Sequence, residues 1–395
     1  MTSSPHQTTE TPAVPRQADT QVRAQGGAEP GADARRRDAF FDNAKFLAIV
    51  LVAVAHAWEP LHPDSRVVMA LYMTVYTFHM PAFIVIAGYF SRGFDGSPRR
   101  VARLVTGVAV PYVVFQLAYV FWMRGLEDDP DTYIPLFEPK WLMWFLLALL
   151  IWRLTVPVWQ AVRWPLPLSL AIAAAASASP SLGNDLQLQR VLQFLPFFVL
   201  GLVLRPEHFA LARRRAVRLL ALPVFTGAAL VAYLVAPRME YQWLYHRDAA
   251  QELGEAWWAG MAMTLALFCC AVVLTVCFFA LVPGRRTWFT VLGAGTISGY
   301  LLHGFLISGA RAWDWYEPEV MRHIQTSLPL TTVVAAAGVT LLCTPPVRRA
   351  FRPVMEPGMA WFFRRPTAAP TPTPAAGARG TEARGTGAAG AGERP

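Results

Sequence analysis

Charge is scarce in this chain. Only 15% of its 395 residues are Asp, Glu, Lys or Arg, against ~25% in soluble domains. Lysine occurs twice, at Lys45 and Lys140, and the other basic residues are arginine. Cysteine is nearly absent: Cys269, Cys270, Cys277 and Cys343 all stand inside apolar runs. None forms a C-x-x-C pair, which argues against a secreted disulfide scaffold and a zinc motif. No P-loop, GxSxG, HExxH or GxGxxG context occurs, so nucleotide hydrolysis, soluble ester hydrolysis and zinc proteolysis have no basis. The period-two alternation of a membrane β-barrel is also missing. What is plentiful is apolar surface: 54% hydrophobic residues and 14 tryptophans, with a mean hydropathy of +0.34. A chain of this composition takes lipid as its main solvent. The net charge is +9. In a soluble protein that would suggest nucleic acid, but here the basic residues sit in short stretches between apolar runs, as membrane topology is written. No nucleic-acid partner is expected; the lipid bilayer is.

Residues 1–34 and 366–395 are rich in Pro, Gly, Ala and Thr and have no apolar period. They cannot bury enough apolar surface to offset ordering entropy. The expected organisation is a disordered cytoplasmic tail over 1–37, a membrane domain over 38–350 and a second disordered cytoplasmic tail over 351–395. Between the tails lie about ten apolar segments, near 41–60, 68–91, 101–122, 141–159, 165–180, 191–205, 216–236, 257–281, 288–308 and 328–347. Most approach the ~20 residues that cross ~30 Å of hydrocarbon. Lipid offers the backbone no hydrogen-bond partner, so the expectation is an all-α membrane protein with about ten transmembrane helices.

Loop charges set the orientation. Even-numbered connections carry Arg92, Arg99, Arg100 and Arg103, then Arg163, then Arg205, Arg213–Arg215 and Arg218, then Arg285 and Arg286. The tail junctions match, with Arg35–Arg37 and with Arg348, Arg349 and Arg352. Odd-numbered connections are acidic or mixed: Glu127, Asp128, Asp129 and Asp131 in one, Glu240, Asp248, Glu252 and Glu255 in another, Asp314, Glu317 and Glu319 in a third. The positive-inside rule then places both termini in the cytoplasm and the acidic loops outside.

Polar groups within spans are expensive and become functional candidates. Three are histidines: His56 in the first span, His79 in the second and His303 in the ninth. Imidazole suits proton transfer near neutral pH. Lys45 precedes His56 by about three helical turns, so the two share a face ~16 Å apart along the axis. Asp42 at i−3 from Lys45 and Glu59 at i+3 from His56 extend that stripe. Such a face suits a polar passage, charged at its inner mouth and proton-accepting deeper in. Pro81 frees a backbone carbonyl beside His79. Gly293, Gly295 and Gly299 permit close helix contact, while Ser298, Tyr300 and His303 bring polar groups to mid-depth. The plainer readings stay open: a histidine within a bundle also serves as an interhelical hydrogen bond, cytoplasmic arginines as topology signals and tryptophans as an interfacial belt.

At these residues the chain resembles the integral-membrane acyltransferase family 3, especially its fucose 4-O-acetylase-like branch. The matching stretches are FFDNAKFLAIVLVAVAHAW, FHMPAFIVIAGYFSR, WLMWFLLALLIWR, FLPFFVLGLVL and GTISGYLLHGFL, in the family's order over roughly 40–310. The first two are the most specific, with the basic residue, ten positions and histidine read here as Lys45 to His56. The resemblance implies a multi-pass plasma-membrane enzyme. It would move an acyl group, commonly acetyl from cytoplasmic acetyl-CoA, to a hydroxyl of an outward-facing sugar or glycan of the cell envelope. It makes His56 the catalytic histidine, puts Lys45 on the donor path and sets Arg92, Arg99, Arg100 and Arg103 where the donor's phosphates bind. Ala87 stands where the family often has serine, so no hydroxyl role is expected there. In that chemistry His56 would be the base, oriented by Glu59, with His79 or Tyr300 donating to the oxyanion and His303 completing the polar centre. An acyl-histidine intermediate is an alternative. No metal is required. Another donor, such as succinyl-CoA, stays open, as do envelope polysaccharide, peptidoglycan precursor and secreted glycoside acceptors. The rival is a transporter of a small or anionic solute, against which stands the lack of an internal repeat.

Overall fold

The computed structural model describes residues 38–127, 133–183, 185–359 and 362. The tail expected over 1–37, with Arg35–Arg37, lies outside the described residues, as do Asp128, Asp129, Asp131 and nearly all of the tail beyond 359. Every regular element among the described residues is helical.

Among the described residues, seven helices are long and apolar enough to cross a membrane: α1 (Ala39–Trp58), α2 (Arg66–Ser91), α3 (Pro98–Leu126), α8 (Arg215–Val235), α9 (Trp257–Leu281), α10 (Trp288–Ala312) and α11 (Ile324–Leu342). Between α3 and α8 come α4 (Trp141–Leu154) and α5 (Pro165–Ser177), then α6 (Leu188–Gln193) and α7 (Leu195–Val203). Helix α12 (Pro345–Met355) closes the unit. Local chemistry sets the starts. The Asp38 carboxylate accepts from the Phe40 N–H at 2.9 Å and caps α1, and Ser65 caps α2 through the Val68 N–H. Pro98 opens α3, where a missing N–H does no harm.

Of the about ten expected spans, seven described helices are long and apolar enough to cross alone, or eight with α6 and α7 taken as one bent span. Each shortfall has a cause. Around 141–159 the helix stops at Leu154, and a turn at Thr155 leads into a new helix with Pro157 in its first turn. The 13 residues of α5 reach ~20 Å, short of the hydrocarbon thickness. Pro196 removes a donor at the start of α7, which bends 52° from α6. Apolar composition told where lipid lies but not where the helix axis breaks.

Helices α1 and α2 form the buried centre, while α8 and α11 are largely exposed. Helices α2 and α7 cross closely: Gly88 and Gly201 face each other, and a Cβ on either would overlap the partner's backbone, at Phe198 O and Val85 O respectively. Gly293 and Gly295 likewise lie against the backbones of Asp42 and Cys343. Asn43, fully buried on α1, donates to the carbonyls of Pro283 and Arg285 at 2.8 and 3.0 Å. Its Oδ1 accepts from Thr290 at 2.7 Å, so one side chain ties the start of α1 to the segment before α10. Helix α12 runs across the expected domain boundary at 350, and Met355 is buried against the Ser298 hydroxyl at 3.4 Å. The compact unit ends at Pro357.

Candidate functional site

Helix α1 carries Lys45, Val52 and His56 at intervals of seven and four, one face by the 3.6-residue period. Two cavities lie along that face. One of about 130 Å³ is lined by His56, Glu59, Tyr76, His79, Trp141 and Arg190 among others. The other, about 260 Å³, is lined by Lys45, Phe90, Gly107, Arg153 and Thr296. Both walls include Val52, Met80 and Tyr300, so the cavities abut at these three side chains. The π-helical turn Val105–Ala109 of α3 contributes Gly107 and Val108 to the Lys45 cavity. Such wide turns depart from the regular ladder and concentrate at functional sites.

The three histidines lie near one another. The His56 and His303 rings lie 5.9 Å apart, and Tyr76 bridges His56 (5.9 Å) to His79 (4.7 Å). The hydrogen bonds settle which protons are free. His79 Nδ1 lies 2.8 Å from the Val75 carbonyl, and His303 Nδ1 lies 2.9 and 2.8 Å from the Gly299 and Tyr300 carbonyls. A carbonyl only accepts, so both Nδ1 atoms carry hydrogen, which leaves Nε2 of each neutral ring as an acceptor. The Tyr300 hydroxyl donates to the Leu142 carbonyl. In these tautomers neither His79 nor Tyr300 has a proton to spare for an oxyanion, in contrast to the donor role expected for them.

His56 differs. Its side chain is 13% exposed, and its Nδ1 lies 3.0 Å from the Tyr76 hydroxyl and 3.8 Å from Glu59 Oε2. Arg311 donates one Nη2 to Glu59 Oε2 at 2.6 Å and to the His56 carbonyl at 3.0 Å. Partial burial alone would raise the Glu59 carboxyl; the His56 hydrogen bond and the Arg311 charge overcome it and hold the group down at about 2. Glu59 is thus a fixed anion beside Nδ1, favouring hydrogen there and a lone pair at Nε2. Trp141 closes the wall, its ring 5.2 Å from His56 and under the Arg311 guanidinium at 5.5 Å. Its φ of 43° is left-handed, a strained conformation for so bulky a residue, of order 1–3 kcal/mol. Arg311→Gln is expected to slow turnover about tenfold, ~1.4 kcal/mol of barrier; initial rates equal to wild type would remove the Glu59–Arg311 pair from the site.

Lys45 Nζ pairs with Asp42 Oδ1 at 2.7 Å. The four expected phosphate-binding arginines lie elsewhere. Arg92 stacks on Tyr89 at 3.8 Å and donates to the Leu204 carbonyl at 2.9 Å, fastening the ends of α2 and α7. Arg100 meets Asp95 at 3.3 Å, and Arg99 and Arg103 are exposed. None lines the Lys45 cavity, whereas Arg153 of α4 does and donates to the Ser91 hydroxyl at 3.1 Å. Sequence reading passed over Arg153, Tyr76, Trp141, Arg190 and Arg311. A signal existed for Arg190 and Arg311: both sit at the His56 end of the bundle, where the loops are acidic or mixed rather than basic.

An integral helical bundle whose half-buried histidine and basic residue sit on one helix and face abutting cavities defines a multi-pass membrane protein built for chemistry inside its bundle. An acyltransferase domain model matches residues 38–348, so the chain belongs to acyltransferase family 3 and is a membrane acyltransferase. No curated protein and no solved structure matches it.

Proposed function

We propose that the protein is an O-acyltransferase of the plasma membrane, carrying an acetyl group from cytoplasmic acetyl-CoA to a hydroxyl of an outward-facing sugar or glycan. The observation that carries this reading is that Lys45 and His56 occupy two cavities with Val52, Met80 and Tyr300 in common. A donor entering at Lys45 reaches ~16 Å to bring its thioester to His56. On this reading the short helices α4 and α5 and the bent pair also cross, and with the arginine distribution both termini lie in the cytoplasm.

The chemistry follows from the tautomers. His56 Nε2 takes the acceptor's hydroxyl proton while the oxygen attacks the thioester carbonyl carbon. The tetrahedral oxyanion collapses, the C–S bond breaks, and the imidazolium returns its proton to the CoA sulfur. Glu59 steadies the transient imidazolium through Nδ1–H. With the protons of Tyr300 and His79 engaged on carbonyls, the indole N–H of Trp141 takes over the oxyanion, since it has no acceptor among the described residues. Lys45 and Arg153 meet the donor's phosphates. Label from acetyl-CoA should enter the glycan fraction of membranes containing the protein, and envelope O-acetyl content should fall without it. Solute uptake with no acyl consumption would favour a transporter and sink this reading.

A further inference from the structure

Arg190 is the cation of the His56 cavity that no carboxylate neutralises. Two other arginines at this end are matched: Arg311 by Glu59 at 2.6 Å and Arg247 by Asp248 at 3.1 Å. No ion pair to Arg190 exists among the described residues. Its contacts orient it without neutralising it. The Nε–H donates to the Tyr245 carbonyl at 3.2 Å, and the guanidinium plane lies 5.2 Å from the Trp144 ring centre. Both Nη groups are without a protein acceptor among the described residues, and the side chain lines the cavity. A guanidinium held within a membrane bundle with no anion is costly, and such groups mark substrate paths. Its planar fork fits a carboxylate or phosphate bidentately.

The donor's phosphates are not that anion, because Lys45 and Arg153 sit in the other cavity. Trp141, Trp144 and Tyr245 line the same cavity as Arg190, and aromatic side chains suit the apolar face of a sugar ring. We propose that the acyl acceptor is an anionic sugar, bearing a carboxylate or phosphate ester near the acylated hydroxyl, and that Arg190 binds that charge. This deepens the acyl-transfer reading and rests on it for the word acceptor, but the binding itself is testable without turnover.

The experiment uses the full chain in lipid nanodiscs and reads tryptophan fluorescence on titration with methyl glucuronide, glucose 6-phosphate and neutral methyl glucoside. At low salt at least one charged sugar should bind about tenfold tighter than the neutral one, and which of the two wins distinguishes carboxylate from phosphate. That preference should vanish in Arg190→Gln and persist in part in Arg190→Lys, with neutral-sugar binding and melting midpoint showing that both variants fold. His56→Ala should keep the preference while losing transfer. If His56→Ala instead transfers normally, the catalytic reading fails and the anion site stands. Equal affinity for charged and neutral sugars overturns the proposal, as does a preference untouched by Arg190→Gln. It also falls if Arg190→Gln selectively slows succinyl-CoA relative to acetyl-CoA, for the anion would then belong to the acyl group.

Discussion

His56→Ala abolishes acyl transfer, by ~10³-fold or more, in protein that still inserts and folds. On the proposed mechanism the size follows from removing the base for a weakly acidic hydroxyl, a contribution of ~10²–10⁴, and with it the acid for the leaving thiolate. Folding should survive. The ring faces a cavity, and its side-chain bond is one contact with the Tyr76 hydroxyl at 3.0 Å. The helix is held by other residues: Asn43 at its start, Trp58 Nε1 on the Thr332 hydroxyl at 2.9 Å and the buried alanines between. The check is the initial rate of label transfer from acetyl-CoA, with the detergent melting midpoint measured on the same preparation. Full activity in a folded variant removes His56 from the mechanism. Tyr76→Phe, which takes away the Nδ1 partner and leaves Glu59 in place, should show an intermediate loss.

Gly88→Leu should prevent the bundle from assembling. An added Cβ meets the Phe198 carbonyl oxygen and lies 3.1 Å from Gly201 Cα, so helix backbones rather than side chains must part. Overpacking against adaptable side chains costs ~1–3 kcal/mol. With backbone on both sides the loss exceeds that range and consumes much of a marginal stability of ~5–15 kcal/mol. Membrane abundance and melting midpoint should both collapse. Gly88→Ala should fall between that and wild type. Gly227→Ala on α8 has open space around the new methyl and should be neutral within ~0.5 kcal/mol. A Gly88→Leu protein as stable as the Gly227→Ala control would mean that α2 and α7 are not held at this distance.

Much of this architecture was legible in the sequence because lipid imposes a simple rule: long apolar runs become helices. Helices α1, α2, α3, α8, α9, α10 and α11 all fall where the apolar segments predicted them. The rule failed where composition and geometry separate. A run such as 141–159 is apolar throughout yet divides at Thr155, and 191–205 breaks at the proline of α7. The polar stripe on α1 was visible because one helix has one period. Arg153, Tyr76 and Trp141 were not, since nothing local says that α4 and α2 bring them to α1. The positive-inside pattern did not single out Arg190 and Arg311, because an average over loops absorbs individual basic residues on the acidic side. Arginines on the acidic side of a membrane domain repay individual inspection for that reason.

The Asp42–Lys45 pair at 2.7 Å has an electrical consequence. The pair cancels the charge of Lys45 itself, leaving Arg153 as the cation of that cavity with no carboxylate partner among the described residues. A phosphate taking hold of Lys45 must unseat Asp42 and leave that carboxylate beside the incoming group. Capture at Lys45 then depends more on short-range fit than on the charge of that lysine. Asp42→Asn should remove the competitor and accelerate donor association, with a steeper decline as ionic strength rises. Stopped-flow measurement of CoA association at two salt concentrations would read that change directly.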